Sequence, residues 1–189
     1  MHQDPFLEEN QVSEETDLVF KGFGPRLLAL LLDSLIVGIP IAAASVYNLL
    51  VLKSFWFFVL ISMISIAYKP LMEGIYGATL GKMSMGMKVV DYYGGRINAP
   101  QAILRSIFTI GQSLVTIPVY WFIFNDTDLM ELNNYFTLSL QLAEAYPFLN
   151  VISGISTLIL VVECITLLMD QPYWRSLHDR IAKTYVVES

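Results

Sequence analysis

The sequence predicts an all-α membrane protein, a four-transmembrane-helix bundle with a small cytoplasmic β-hairpin or strand element. Three observations lead there. The chain of 189 residues is 55% hydrophobic and only 15% charged, with a mean hydropathy of +0.57, too apolar to bury in one soluble core. Its apolar residues gather into four runs of roughly 20, each long enough to cross a ~30 Å hydrocarbon layer as a helix. The charges between the runs are sorted by sign. The segment between the second and third runs holds Lys82, Lys88 and Arg96 with Arg105 at its end, whereas Asn125 to Tyr146 holds Asp126, Asp128, Glu131 and Glu144 and no base.

Taken in order, residues 1–21 read as an acidic, solvated and flexible cytoplasmic tail, because Asp4, Glu8, Glu9, Glu14, Glu15 and Asp17 precede the first base, Lys21. A start without a basic stretch is unlike a cleavable signal peptide, so the first apolar segment is expected to stay in the protein. Residues 22–187 then read as the transmembrane domain, with helices at about 26–49, 54–73, 105–124 and 148–169. The link around Lys53 is so short that the first two helices form an antiparallel hairpin. The positive-inside rule puts both termini and the basic middle loop in the cytoplasm. Lys21, Arg26, Arg175, Arg180 and Lys183 agree with that side, and Lys53 stands alone outside.

Aromatic residues mark the same boundaries, with Tyr47, Phe55, Trp56, Tyr120, Trp121 and Tyr146 at the outer ends and Phe23, Tyr68, Tyr76, Tyr173 and Trp174 at the inner ends. They read as interfacial anchors. In the outer loop, leucines and aromatics alternate with polar residues from Leu129 to Leu142, as in a short helix lying on the membrane surface. In the inner loop, MKVVDYYGGRIN surrounds a Gly-Gly turn with β-branched residues and predicts a hairpin, to which Thr184 to Val187 would add a strand. No internal repeat supports an inverted-repeat transporter.

Each predicted helix carries its polar residues at helical spacing. Arg26, Asp33 and Pro40 are seven apart; Ser62, Ser65, Lys69 and Glu73 step by three and four, as do Arg105, Thr109, Gln112 and Thr116; Ser153, Ser156, Glu163, Thr166 and Asp170 form the last row. Four such stripes imply one polar interior. With a rise of about 1.5 Å per residue, Asp33 lies on the order of 10 Å inward of Arg26 and Glu163 on the order of 9 Å from Met169, so the two carboxylates would be neighbours.

A charge at mid-bilayer costs roughly 2.5 to 3.5 kcal/mol on insertion scales, so Asp33 needs a reason to be there. Three bases (Arg26, Lys69, Arg105) face four acids (Asp33, Glu73, Glu163, Asp170), and the excess acid points to a protonated carboxyl or a bound cation. Pro40 would free the carbonyl of Ile36 beside Asp33. Two readings stay open: polar glue between helices, at about 1 kcal/mol per contact, or an ion or proton site made by Arg26, Asp33 and Glu163 with Lys69, Glu73, Arg105 and Asp170 in support. Lys69 and Arg105 are long enough to snorkel to the interface; Asp33 and Glu163 are not.

Three blocks carry a family resemblance: GPRLLALLLDSLIV, EGIYGATLGKMSMGMKVVDYYGGRI and RSLHDRIAKTYVV. With Arg26 and Asp33 in the first, the Gly-x-Thr-x-Gly-Lys element in the second and Leu-His-Asp in the third, the chain resembles the RDD family of bacterial membrane proteins. Asp179 would then be the second of the two aspartates for which that family is named. The resemblance spans about Gly22 to Val187; the acidic outer loop has no counterpart in it. It implies a multi-pass protein of the bacterial inner membrane and, because some members are linked to exchange of Na⁺ or Li⁺ for protons, transport of a monovalent cation. It also singles out Thr79, Gly81, Lys82, His178 and Asp179 on the cytoplasmic side.

Other motifs are weaker. GATLGK is one residue short of a phosphate loop between its glycines, and Met83 stands where the magnesium ligand belongs. Instead Gly77, Gly81 and Gly86 suit a tight re-entry loop, with Thr79 capping a short helix and Lys82 facing lipid phosphates. His178 and Asp179 lack a nucleophile or third catalytic partner and read as a contact to the inner loop. Asn125-Asp126-Thr127 fits a glycosylation triplet but abuts a helix end. Cys164, the only cysteine, allows no disulfide within the chain.

The expectation is therefore a non-enzymatic cation/proton transporter with Asp33 as the carrier, Arg26 setting its pKa and Glu163 as second ligand. The alternative is a non-transporting membrane assembly or partner subunit with a structural polar core. No cofactor and no nucleic acid is expected; the lipid bilayer, a proton or monovalent cation, and a second copy or partner subunits are.

Overall fold

The computed structural model describes residues 18–189. Four helices are long and apolar enough to cross a membrane: α1 (Phe23–Leu52), α2 (Phe55–Tyr76), α5 (Ile107–Phe124) and α8 (Pro147–Met169). Between them lie α3 (Leu80–Ser84), β1 (Met87–Asp91), α4 (Ala99–Leu104), α6 (Thr127–Glu131) and α7 (Tyr135–Ala145), and after α8 come α9 (Leu177–Ala182) and β2 (Thr184–Glu188). The predicted fold class holds. Leu31, Leu114, Leu158 and their like on the spanning helices face outward, as lipid-contacting side chains must.

In α1 the ladder widens to a π-helical turn at Ser34–Gly38, directly after Asp33, where the Ile39 N–H bonds the Ser34 carbonyl. Pro40, which has no N–H to give, follows at once. A second π-helical turn, Asn48–Leu52, ends in Lys53 at φ 49°. The buried Asn48 ties this corner down, donating to the Ser54 carbonyl at 3.0 Å and accepting from the Ser54 N–H at 3.2 Å. Ser54 then caps α2.

Three differences from the sequence reading follow local chemistry. The third spanning helix starts at Ile107, because α4, opened by an Asn98–Gln101 capping box, ends with Arg105 as its C-cap and the helical path is interrupted at Ser106. Met87–Asp91 pairs antiparallel with Thr184–Glu188, Met87 opposite Glu188 and Asp91 opposite Thr184, while the expected hairpin return makes one bridge, Val90 to Arg96. The Asp91 side chain explains this: it accepts from the N–H groups of Tyr93 and Gly95 and curls the chain before a second strand can form. Finally, the acidic residues 4–17 lie outside the described residues, but Phe20 and Lys21, read as tail, belong to the folded part: Phe20 bridges Val187 and the Lys21 N–H bonds the Val186 carbonyl.

The outer loop forms a cap. Leu129, Leu138 and Leu142 bury themselves with Ile123 against Leu49, Leu50, Val119 and Leu149, so α6 and α7 sit on the ends of the spanning helices. Lys53 bonds the Met130 carbonyl and, at 3.0 Å, Asn133. At the other end, Met87, Val89 and Val186 of the sheet pack with Ala29, Ile97 and Ala102. This end, where the described residues begin and finish, holds most of their charge.

Candidate functional site

Asp33 does not stand alone at this end. One of its carboxylate oxygens accepts from the Tyr68 hydroxyl at 2.8 Å and the Gly81 N–H at 2.8 Å; the other accepts from the Thr79 hydroxyl at 2.6 Å. Tyr68 in turn receives the Leu80 N–H at 3.0 Å. The first turn of α3 is thus hydrogen-bonded by a carboxylate from α1, which explains why Thr79, at the N-cap position, makes no capping bond of its own. Gly81 is required there: a Cβ would fall on the Ala29 carbonyl oxygen and within 2.9 Å of the Asp33 backbone. Gly77 (φ +76°) and Gly86 (φ +60°) make the turns on either side of this loop.

Arg26 turns away from Asp33. Its Nη1 donates to Asp179 at 2.6 Å and its Nε to the Lys21 carbonyl at 2.9 Å. The pairing expected between Arg26 and Asp33 is replaced by one that spans the chain.

Arg105 is the centre of the charged cluster. It is buried, not snorkelled, at 1% exposure. Its Nε donates to Glu73 at 2.7 Å, and its Nη1 donates to Asp179 and Thr184. Glu73 also receives Lys82 at 2.5 Å, so Lys82 is turned inward, not toward lipid phosphates. Lys69 donates to the Arg105 carbonyl at 3.1 Å. Glu163 pairs with His178, Nδ1 to Oε1 at 2.6 Å. Asp170 leaves the group: it closes the end of α8 with Arg175 at 2.7 Å and Arg180 at 3.1 Å. The cluster is therefore four bases (Arg26, Lys69, Lys82, Arg105) with four acids (Asp33, Glu73, Glu163, Asp179), and the excess acid inferred from the stripes disappears.

The electrostatics outside the bilayer span are consistent with this pairing. Burial alone would raise the Asp179 carboxyl, but Arg105, His178 and Arg26 outweigh it and hold it well below the usual carboxylate range. Burial works against the Arg105 charge too, yet Glu73 and Asp179 overcome it and raise its pKa. For Lys82 burial prevails over Glu73 and pushes the ammonium down to about 8. Burial and the neighbouring Lys69 likewise lower His178, leaving its imidazole neutral near pH 7. A neutral ring in the Nδ1–H tautomer would donate to Glu163.

The RDD family model matches residues 20–183. The chain belongs to the RDD family. Arg26, Asp33 and Asp179, which the sequence resemblance matches to the family's arginine and two aspartates, all serve this one end of the bundle: Arg26 and Asp179 bond each other, and Asp33 fastens the Gly-x-Thr-x-Gly-Lys loop. No curated protein and no solved structure matches the chain.

Tyr68, Ser176 and Thr184 are the site residues that sequence reasoning missed. Tyr68 sits where an interfacial anchor is expected, but its hydroxyl is spent on Asp33. Ser176 shares a capping box with Asp179, which Ser-x-x-Asp spacing before α9 would have signalled. Thr184 sits in an otherwise ordinary strand pattern and gave no signal.

Two cavities adjoin the cluster, and a third continues from them. One of about 300 Å³ lies inside the ring of Arg26, Asp33, Lys69, Lys82, Glu163 and His178. A second, about 430 Å³, runs between α5 and α8 past Thr109, Gln112 and Ser156 and shares Lys69, Arg105 and Glu163 with the first. A third, about 380 Å³, continues past Thr116, Ser153 and Thr157 toward Tyr120 and shares Gln112 and Ser156 with the second.

Proposed function

We propose that this RDD-family membrane protein carries protons, or a monovalent cation in exchange for them, along the groove between α5 and α8, past the few polar side chains set in its apolar wall, with Glu163 and His178 as the relay at its inner end. The observation that carries the reading is the succession of cavities lined by Thr116, Ser153, Gln112 and Ser156 that leads to Glu163. Intramembrane ionisable groups facing such a cavity mark ion paths. Glu163 suits the relay better than Asp33: it has one strong partner, a neutral imidazole that itself titrates, whereas both oxygens of Asp33 are occupied by three donors. Glu163 and His178 make a hydrogen-bonded pair of two titratable groups, which suits proton transfer. The reading places the protein in the bacterial inner membrane with both termini cytoplasmic, by the excess of bases at that end. It is non-enzymatic, and since four helices enclose little space, a second copy or partner subunits would complete the path.

Proteoliposomes with an imposed pH or sodium gradient test it. Glu163→Gln should abolish flux while the protein keeps its unfolding midpoint; Asp33→Asn, which places an amide against three donors, should instead lower the midpoint. The second reading, a membrane partner or assembly subunit, is favoured by the satisfaction of Arg105 on every side. Wild-type protein that passes no proton or cation, yet co-purifies with a stoichiometric membrane partner, would establish it.

A further inference from the structure

We infer that the cleft between α1 and α8 is a binding site for the phosphate group of an anionic phospholipid, held by Arg26 and Lys69. Both cations have donors to spare. Arg26 Nη2 is buried and has no partner among the described residues. Lys69 makes one hydrogen bond, to a backbone carbonyl, and no ion pair among the described residues. Both line the 300 Å³ cavity. A buried guanidinium N–H without an acceptor is costly, and two cationic donors facing one cavity match the oxygens of a phosphate.

The rest of the wall says which phosphate. Leu27, Leu30 and Leu160 line the same cavity and are 40%, 50% and 50% exposed, so the cleft opens sideways between α1 and α8 into the hydrocarbon. A free anion would gain nothing from that side; an acyl chain would lie along it with its headgroup at the cations, as in other basic pockets between spanning helices. The carboxylates in the wall do not close the site to an anion. Asp33 is covered by three donors and Glu163 by His178, while of the four cations lining the cavity Lys69 has no carboxylate partner among the described residues and Arg26 keeps Nη2 free.

Unfolding midpoints and native mass spectra of the full chain in detergent test the site without any gradient, so its failure is distinct from failure of transport. Added phosphatidylglycerol should raise the midpoint and persist as one bound lipid, and phosphatidylcholine should do neither. Lys69→Met should weaken phosphatidylglycerol binding about tenfold, the scale of one charged hydrogen bond. Leu30→Trp, which obstructs the cleft from the lipid side and leaves every charge in place, should also remove it. Equal effects of the two lipids, binding unchanged in both variants, or the same stabilisation by inorganic phosphate alone would each overturn the proposal.

Discussion

Arg105 carries the most consequence of any single side chain, because its fork holds two buried carboxylates from different parts of the chain. Arg105→Met would leave Glu73 and Asp179 without their shared counter-charge, and breaking such a pair destabilises by about 3–5 kcal/mol. Thermal unfolding in detergent should show this loss, with Arg105→Lys recovering only part, since an ammonium cannot serve Glu73, Asp179 and Thr184 in one geometry. His178 governs a different variable. Burial and Lys69 hold its folded pKa below the ordinary imidazole value of 6.5, so it contributes stability fully above pH 6.5, and that contribution is lost as pH falls through the depressed value. The midpoint of the wild type should therefore drop on acidification below pH 6.5, and that of His178→Gln should drop less. Asp179, depressed further, adds its loss only below the ordinary carboxylate range.

At the scale of elements, the contact of α1 with α3 depends on one glycine. Gly81→Ala drives a methyl into the Ala29 carbonyl and the Asp33 backbone, so the two helices must part; the variant should unfold well below the wild type. Gly111→Ala is the control, since its Cβ meets nothing within 4 Å and the change should stabilise α5 by up to about 1 kcal/mol through helix propensity. The same elements show what could be read in advance. A run of 20 apolar residues has one solution in lipid, so α1, α2, α5 and α8 were legible to within a few residues. Helical spacing told which face Asp33 and Glu163 occupy. It could not tell that Asp33 would meet Thr79 and Gly81, because those belong to a loop with no periodicity of its own. Nor could it show that the Asp91 side chain would curl the predicted hairpin and leave β1 to β2, nearly a hundred residues away.

For the whole molecule, the division of charge sets the direction of any test. The outer half is held by the leucine cap of α6 and α7, the inner half by ions, and the groove between α5 and α8 links them. Gly111 faces that groove where nothing crowds it. Gly111→Phe should therefore stop proton flux in liposomes while leaving the unfolding midpoint near that of the wild type; unchanged flux would move the path elsewhere. The bond between Arg26 and Asp179, which joins residues 153 apart, bears on how the protein is made. Arg26 enters the bilayer early in synthesis, and Arg105 follows, while their common acid is still to be translated. Arg105 can meet Glu73 at once, but Arg26 must wait, hydrated or attended by lipid phosphates, until the last helix has been inserted. Closure of the inner end is thus a late step of assembly, and a chain stalled before α9 holds Arg26 without its carboxylate and Arg105 with only one of its two.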